Sequence, residues 1–118
     1  MKYLLLLYSD PAVGPDYGSP EQQAEMAKWF SYSEELAATG SLLGGEGLQP
    51  VETASSVRIR DGKTITSDGP FAETKEVLGG FYLIDVEDLD QALHWAEKIP
   101  NVGYGTVEIR PIMDYSQT

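Results

Sequence analysis

The order of hydrophobic patterns predicts an α+β fold, a ferredoxin-like sandwich made of a βαβ unit, a hairpin and a second βαβ unit. Three observations predict it. Residues 2–8 (KYLLLLY) and 79–86 (GGFYLIDV) are strand-length and apolar without alternation, the pattern of strands covered on both faces. Two later stretches repeat apolar residues at three-four spacing, each opened by a capping signal. An Asp61-Gly62 pair between β-prone runs marks a hairpin in mid-chain. At 118 residues the chain reads as one domain, with a core over about residues 1–113 and a tail over 114–118. A chain of this length buries roughly two-thirds of the surface of its unfolded form and folds without staples.

Each element has its own local reasons. Residues 9–18 hold Asp10, Pro11, Gly14, Pro15 and Gly18 and read as a loop. The first helix follows, with Ser19 as N-cap, Pro20 at the first helical position and Gln22 closing a capping box. Met26, Trp29, Phe30, Ser33, Leu36 and Ala37 form its expected core stripe, and Gly40 is its stop. Residues 42–48 (LLGGEGL) are a Gly-rich strand or strand edge. They are not a phosphate loop, because the Gly-Lys-Ser/Thr ending is absent. Their glycines serve either strand distortion or close approach to a ligand.

Residues 56–67 form the hairpin. A two-residue turn puts Val57, Ile59, Thr64 and Thr66 on one face, and Arg58, Arg60, Lys63 and Ile65 on the other. That cationic face is either solvated or set to meet an anion or an acidic partner. In the second βαβ unit Asp88 is the N-cap and Gln91 the box residue. Leu89, Ala92, Leu93, Ala96 and Ile99 form the expected buried stripe, ended by Pro100. The last strand, 106–113, alternates Val107 and Ile109 with Glu108 and Arg110, and Pro111 makes it an edge strand.

This order places the two apolar strands side by side in mid-sheet. Two helices cover only one face of a sheet, yet both strands are apolar on both faces. An uncovered apolar face of that size marks an interface, so the expected assembly is a homodimer packed sheet to sheet. Eight Lys and Arg stand against nineteen Asp and Glu, a net charge of −11. Such a field repels nucleic acid and anionic lipid. The run Leu4–Leu7 is too short for a membrane span or a signal-peptide core. With no cysteine, disulfides, thiolate chemistry and Cys-ligated zinc are excluded. The expected setting is cytoplasmic, without nucleic-acid or membrane partners.

The densest chemistry lies in Asp68-Gly69-Pro70-Phe71-Ala72-Glu73-Thr74-Lys75-Glu76. Pro70 stiffens the turn. Asp68 at its entrance is either a turn former or a general acid or base. Lys75 either meets an anionic substrate or pairs with Glu73 or Glu76. The candidate catalytic residue is Asp68, and the candidate substrate-binding residues are Tyr8, Glu46, Pro70, Phe71, Glu73 and Lys75. The ligand expected there is a small molecule. His94 is the single histidine and reads as a surface residue. The acidic cluster of Asp85, Glu87, Asp88 and Asp90 lacks the spacing of a calcium loop. No metal site and no cofactor is expected, and the Gly-x-Ser-x-Gly elbow of serine hydrolases is absent.

The same nonapeptide, with Leu78-Gly79-Gly80-Phe81-Tyr82 after it, resembles the signature of the YCII-related family, DGPF-domain branch. The opening Met1-Lys2-Tyr3-Leu4-Leu5-Leu6 resembles that family too. So do Gly44-Gly45-Glu46-Gly47-Leu48-Gln49-Pro50 and Gly105-Thr106-Val107-Glu108-Ile109-Arg110-Pro111. The resemblance implies a ferredoxin-like fold assembled as a dimeric α/β barrel. YciI-type relatives carry a His on the first helix and an Asp matching Asp68, as an acid–base dyad. A chloride-eliminating relative and the similar muconolactone isomerases imply proton transfer on small oxo-acids or lactones, an isomerase or lyase chemistry. Here residues 20–39 contain no His, so Asp68 alone carries over. The resemblance equally implies a non-catalytic binding or regulatory module associated with extracytoplasmic-function sigma factors.

Overall fold

The computed structural model describes residues 1–16 and 18–117; Tyr17 in the expected loop and Thr118 in the expected tail lie outside the described residues. The elements are β1 (Lys2–Ser9), α1 (Pro20–Ala38), β2 (Leu42–Gly47), β3 (Ser55–Arg60), β4 (Lys63–Asp68), β5 (Val77–Asp85), α2 (Leu89–Glu97) and β6 (Thr106–Pro111), with short 3-10 turns at Val51–Thr53, Pro100–Gly103 and Tyr115–Gln117. Four strands form one antiparallel sheet in the order β2-β5-β1-β6, and β3 and β4 form a separate two-stranded sheet. This is the α+β arrangement the sequence predicts. The two unalternating apolar strands, β1 and β5, are its central pair. Pro111 closes an edge strand, opposite Tyr3, where its missing N–H costs no ladder bond.

The N-cap bonds form as the local signals require, while the expected box closure by Gln22 is corrected: its side-chain oxygen accepts from the Gly18 N–H at 2.5 Å rather than from that of Ser19. The Ser19 hydroxyl accepts from the Gln22 N–H at 3.1 Å, and the Asp88 carboxylate accepts from the Gln91 N–H at 3.0 Å. Both bonds satisfy orphan donors of a first turn. In the hairpin Asp61 and Gly62 both have positive φ, 52° and 74°, as a type I′ turn demands. The register pairs Val57 with Thr66, Arg58 with Ile65, Ile59 with Thr64 and Arg60 with Lys63, so the two faces divide as the sequence predicts.

The core lies between one face of the sheet and both helices. Tyr3, Leu5 and Leu7 of β1 and Ile84 of β5 meet Tyr32 and Leu36 of α1, Ala92 and Trp95 of α2, and Ile99. Leu5, Leu36, Ile84 and Ile99 are sealed from solvent, each stabilising the fold by about 1.5–3 kcal/mol. The Tyr32 hydroxyl donates to the Trp95 carbonyl at 2.9 Å and ties the helices together. Burial, followed by the charges of Tyr82 and Glu35, pushes the Tyr32 phenol up.

Two expected stripes are corrected. On α1 the buried residues are Tyr32 and Leu36; Met26, Phe30 and Ala37 are exposed and Trp29 and Ser33 half-buried. The sheet meets the helix along Trp29, Tyr32 and Leu36, and the flank bearing Met26, Phe30 and Ser33 reaches past it. On α2, Trp95 is buried beside Ala92 and Ala96, while Leu89 and Leu93 are exposed. A rotation of one position about the axis turns the larger ring inward, because Tyr32 and the sheet leave room for it.

Alternation along β1 sends Leu4, Leu6 and Tyr8 to the side opposite the core. The register adds Leu83 opposite Leu4 and Phe81 opposite Leu6. No helix among the described residues covers this face. The radius of gyration is 16.6 Å, against roughly 13–14 Å for a compact chain of this length. The β3–β4 hairpin accounts for the excess, standing off the body as an arm. The molecule measures 49 × 48 × 18 Å. Its shortest extent holds no more than a sheet layer and a helix layer, so the arm extends within that slab.

Candidate functional site

Glycines build the floor of the site. A Cβ at Gly45 would stand 2.8 Å from the Phe81 carbonyl oxygen, and one at Gly80 would stand 2.8 Å from the Glu46 carbonyl oxygen. Both contacts are prohibitive, so this crossing of β2 and β5 needs glycine on each strand. The bare strands leave a space beneath the flank of α1 that overshoots the sheet. It is a cavity of about 420 Å³, walled by Met26, Trp29, Phe30 and Ser33 from the helix, and by Gly45, Glu46 and Tyr82 among the strand residues. The Gly-rich run of β2 therefore serves close backbone approach and a cavity together.

The cavity wall is aromatic and apolar apart from a few groups. Ser33 Oγ and Tyr82 Oη stand 2.8 Å apart, a hydrogen bond between α1 and β5. The Tyr82 ring meets Tyr32 edge-on at 5.3 Å, which fixes its plane. Glu46 borders the cavity, but it stands opposite Phe81, itself opposite Leu6, so its exposed side chain projects from the sheet face away from α1. An apolar pocket with a few convergent polar groups is the general form of a small-molecule site. Ser33 and Tyr82 escaped the sequence reading. The legible signal was a serine in an otherwise apolar helical stripe, since a half-buried hydroxyl there must find a partner.

The remaining candidates lie elsewhere. Asp68 ends β4, opposite Ser55. Its carboxylate is exposed and makes no hydrogen bond or ion pair with a described residue. The residue two positions on is Pro70, which has no N–H to offer it. The turn is nonetheless clamped through its backbone. The Gly69 N–H donates to the Ala54 carbonyl at 2.6 Å. The Ser56 hydroxyl donates to the Gly69 carbonyl at 3.0 Å, and the Arg58 guanidinium donates to the Phe71 carbonyl at 3.3 Å. Pro70, Phe71, Glu73 and Lys75 are all exposed.

Lys75 pairs with neither Glu73 nor Glu76; the ion pairs among the described residues join Met1 to Asp85, Lys28 to Glu25 and Lys98 to Glu35. Glu76 instead accepts from the Thr106 hydroxyl at 3.1 Å, tying the chain before β5 to β6. Tyr8 lies on the uncovered sheet face, and its carbonyl accepts from the Asn101 amide at 3.2 Å. His94 is exposed, its ring against Trp95 at 5.4 Å. Of the sequence-based candidates, then, Glu46 borders the cavity, while Tyr8, Asp68, Pro70, Phe71, Glu73 and Lys75 do not. Among the described residues no three His, Asp or Glu side chains are grouped to hold a metal ion. No helix among them is long and apolar enough to cross a membrane.

Comparison with known proteins places this architecture. An uncharacterised protein of Rhizobium meliloti (strain 1021) is 38% identical over 117 residues, covering 98% of this chain and 94% of that protein. Among solved structures, the fold matches 5-chloro-2-hydroxyhydroquinone dehydrochlorinase from Burkholderia phenoliruptrix AC1100, in complex with 2,5-dihydroxybenzoquinone. The TM-score is 0.53 at 15% identity, over 99% of this chain and 98% of that one; a likeness at that identity is one of fold. The family model of the YCII-related domain matches residues 1–116, and the chain belongs to the YCII-related family.

Proposed function

We propose that the chain is a small-molecule enzyme of the isomerase or lyase type, moving a proton on a flat, largely apolar substrate held under α1. The observation that carries this reading is the cavity of about 420 Å³ whose aromatic wall holds the Ser33–Tyr82 hydroxyl pair. A carbonyl oxygen of the substrate accepts from the Tyr82 hydroxyl. A carboxylate removes the proton from the adjacent carbon, the electron pair moves into an enolate, and the hydroxyl pair stabilises the negative oxygen. Return of the proton at another carbon gives isomerisation; departure of a leaving group with its electron pair gives elimination. Glu46 is set aside as that carboxylate, because its place in the ladder turns it to the far face of the sheet. Asp68 is the one favoured by the family resemblance, and it serves if the stiff turn closes on a bound ligand. The structural neighbour, a dehydrochlorinase bound to a small quinone, supports the class of ligand.

In this reading the protein acts in the cytoplasm as a homodimer with the faces bearing Leu4, Leu6 and Leu83 packed together, the DGPF-branch form of the family. The test is ligand binding followed through Trp29, which lines the cavity. Titration with 2,5-dihydroxybenzoquinone should quench its fluorescence. Tyr82→Phe and Ser33→Ala should weaken or abolish the response, with Trp29→Phe as the optical control. A response unchanged in both variants removes the cavity from consideration. A regulatory module is the second reading, and the exposed cationic face of the arm favours it. Arg58→Glu with Arg60→Glu should then abolish capture of a protein partner while the homodimer persists.

A further inference from the structure

The arm is poorly supported by its own chain. Residues 55–68 form two strands with no third strand beside them, and an isolated two-stranded hairpin is marginally stable in water. Its β-branched face is open, with Val57 68% and Ile59 65% exposed, and Ile65 on the other face is 48% exposed. At its root Phe71 is 77% exposed, although its carbonyl is held by Arg58. Fixed, uncovered apolar side chains of this kind mark a contact surface.

Charge indicates the occupant. Residues 55–68 hold Arg58, Arg60 and Lys63 against Asp61 and Asp68, while the rest of the chain holds five cations against seventeen acids. The arm is thus slightly positive and the body strongly negative. Two bodies of this sign repel at close range, and an arm from each laid over the other offsets part of that repulsion. The arm extends outward in the plane of the slab, where it is free to reach a second copy.

We propose that the β3–β4 arm of one protomer packs on the body of a second copy of this chain, with Val57 and Ile59 against it and Phe71 anchoring the root. The proposal rests on the homodimer reading above and adds a reciprocal clasp to it. In that clasp the Asp68 turn of each protomer is carried onto its partner rather than left in solvent.

The experiment is amide hydrogen exchange on the whole protein, at concentrations above and below the dimer midpoint found by light scattering. Peptides spanning residues 55–71 should exchange at least tenfold more slowly in the dimer and lose that protection on dilution, in step with dissociation. Val57→Ser with Ile59→Ser should remove arm protection from the dimer and raise its dissociation constant tenfold or more. Arg60→Glu with Lys63→Glu, which spares the Arg58 clamp, should raise it likewise. A dimer whose arm exchanges as fast as in the monomer overturns the clasp and leaves sheet pairing standing. A monomer at every concentration overturns both.

Discussion

Ser33 Oγ and Tyr82 Oη lie 2.8 Å apart across the junction of α1 and β5. They form a polar bridge in a wall otherwise built from Met26, Trp29, Phe30 and bare strand backbone. The bridge is half-buried rather than sealed, so a ligand can displace or share it. The cavity wall owes its polar character to this pair.

Ser33→Ala and Tyr82→Phe should each destabilise the fold by about 1 kcal/mol, the usual net value of a neutral hydrogen bond. Because both remove the same interaction, the double variant should lose little more than either single one. Urea denaturation at neutral pH reads this directly. Ligand affinity should fall in both, and further in Tyr82→Phe if the phenol is the group the substrate meets.

Gly45→Ala and Gly80→Ala should both be costly, although neither residue has a side chain to lose. Each new methyl meets a carbonyl oxygen at 2.8 Å, forcing β2 and β5 apart. A loss of about 1–3 kcal/mol is expected from such overpacking. Thermal unfolding checks it, and Gly47→Ala, where a Cβ meets nothing within 4 Å, is the matched control.

Asp68→Asn should leave stability within about 0.5 kcal/mol of the parent, as exposed substitutions without partners do. A loss of turnover or binding without loss of stability would assign the turn to chemistry. Equal turnover in Asp68→Asn would remove the turn from the chemistry.

Alkaline pH should weaken the fold. The Tyr32 phenol is held above the ordinary tyrosine value of 10.0, mainly by burial. Tyr104 is raised from the same value by burial and then by its hydrogen bond to Glu25. A raised folded-state pKa favours the protonated form, so this stability is full below pH 10 and is lost as pH climbs beyond it. Denaturation midpoints at pH 8 and pH 11 should show a drop, smaller in Tyr104→Phe, whose 2.7 Å bond from the Tyr104 hydroxyl to the Glu25 carboxylate is absent.

Much of the fold was legible because its signals are local. Ser19 and Asp88 cap their helices through bonds that span three residues. Asp61-Gly62 sets the hairpin register through two positive φ angles. The unalternating runs in β1 and β5 identify the central strands, since apolar residues on both faces suit only mid-sheet positions. The family was legible for a related reason: the glycines and prolines of its motifs answer to backbone geometry.

The helix faces were less legible. Three-four spacing allows overlapping stripes, and the choice between Phe30 and Tyr32, or Leu93 and Trp95, each two positions apart, depends on what stands opposite. On α1 that is the junction with α2, where Tyr32 finds the Trp95 carbonyl. The cavity is non-local in the same sense, assembled from a helix flank and two glycine-thinned strands far apart in sequence. Ser33 and Tyr82 become a pair only once α1 lies across β5. Asp68 is conspicuous in the chain because of its neighbours, yet folding leaves it outside the cavity, at the end of a hairpin that forms a two-stranded sheet of its own.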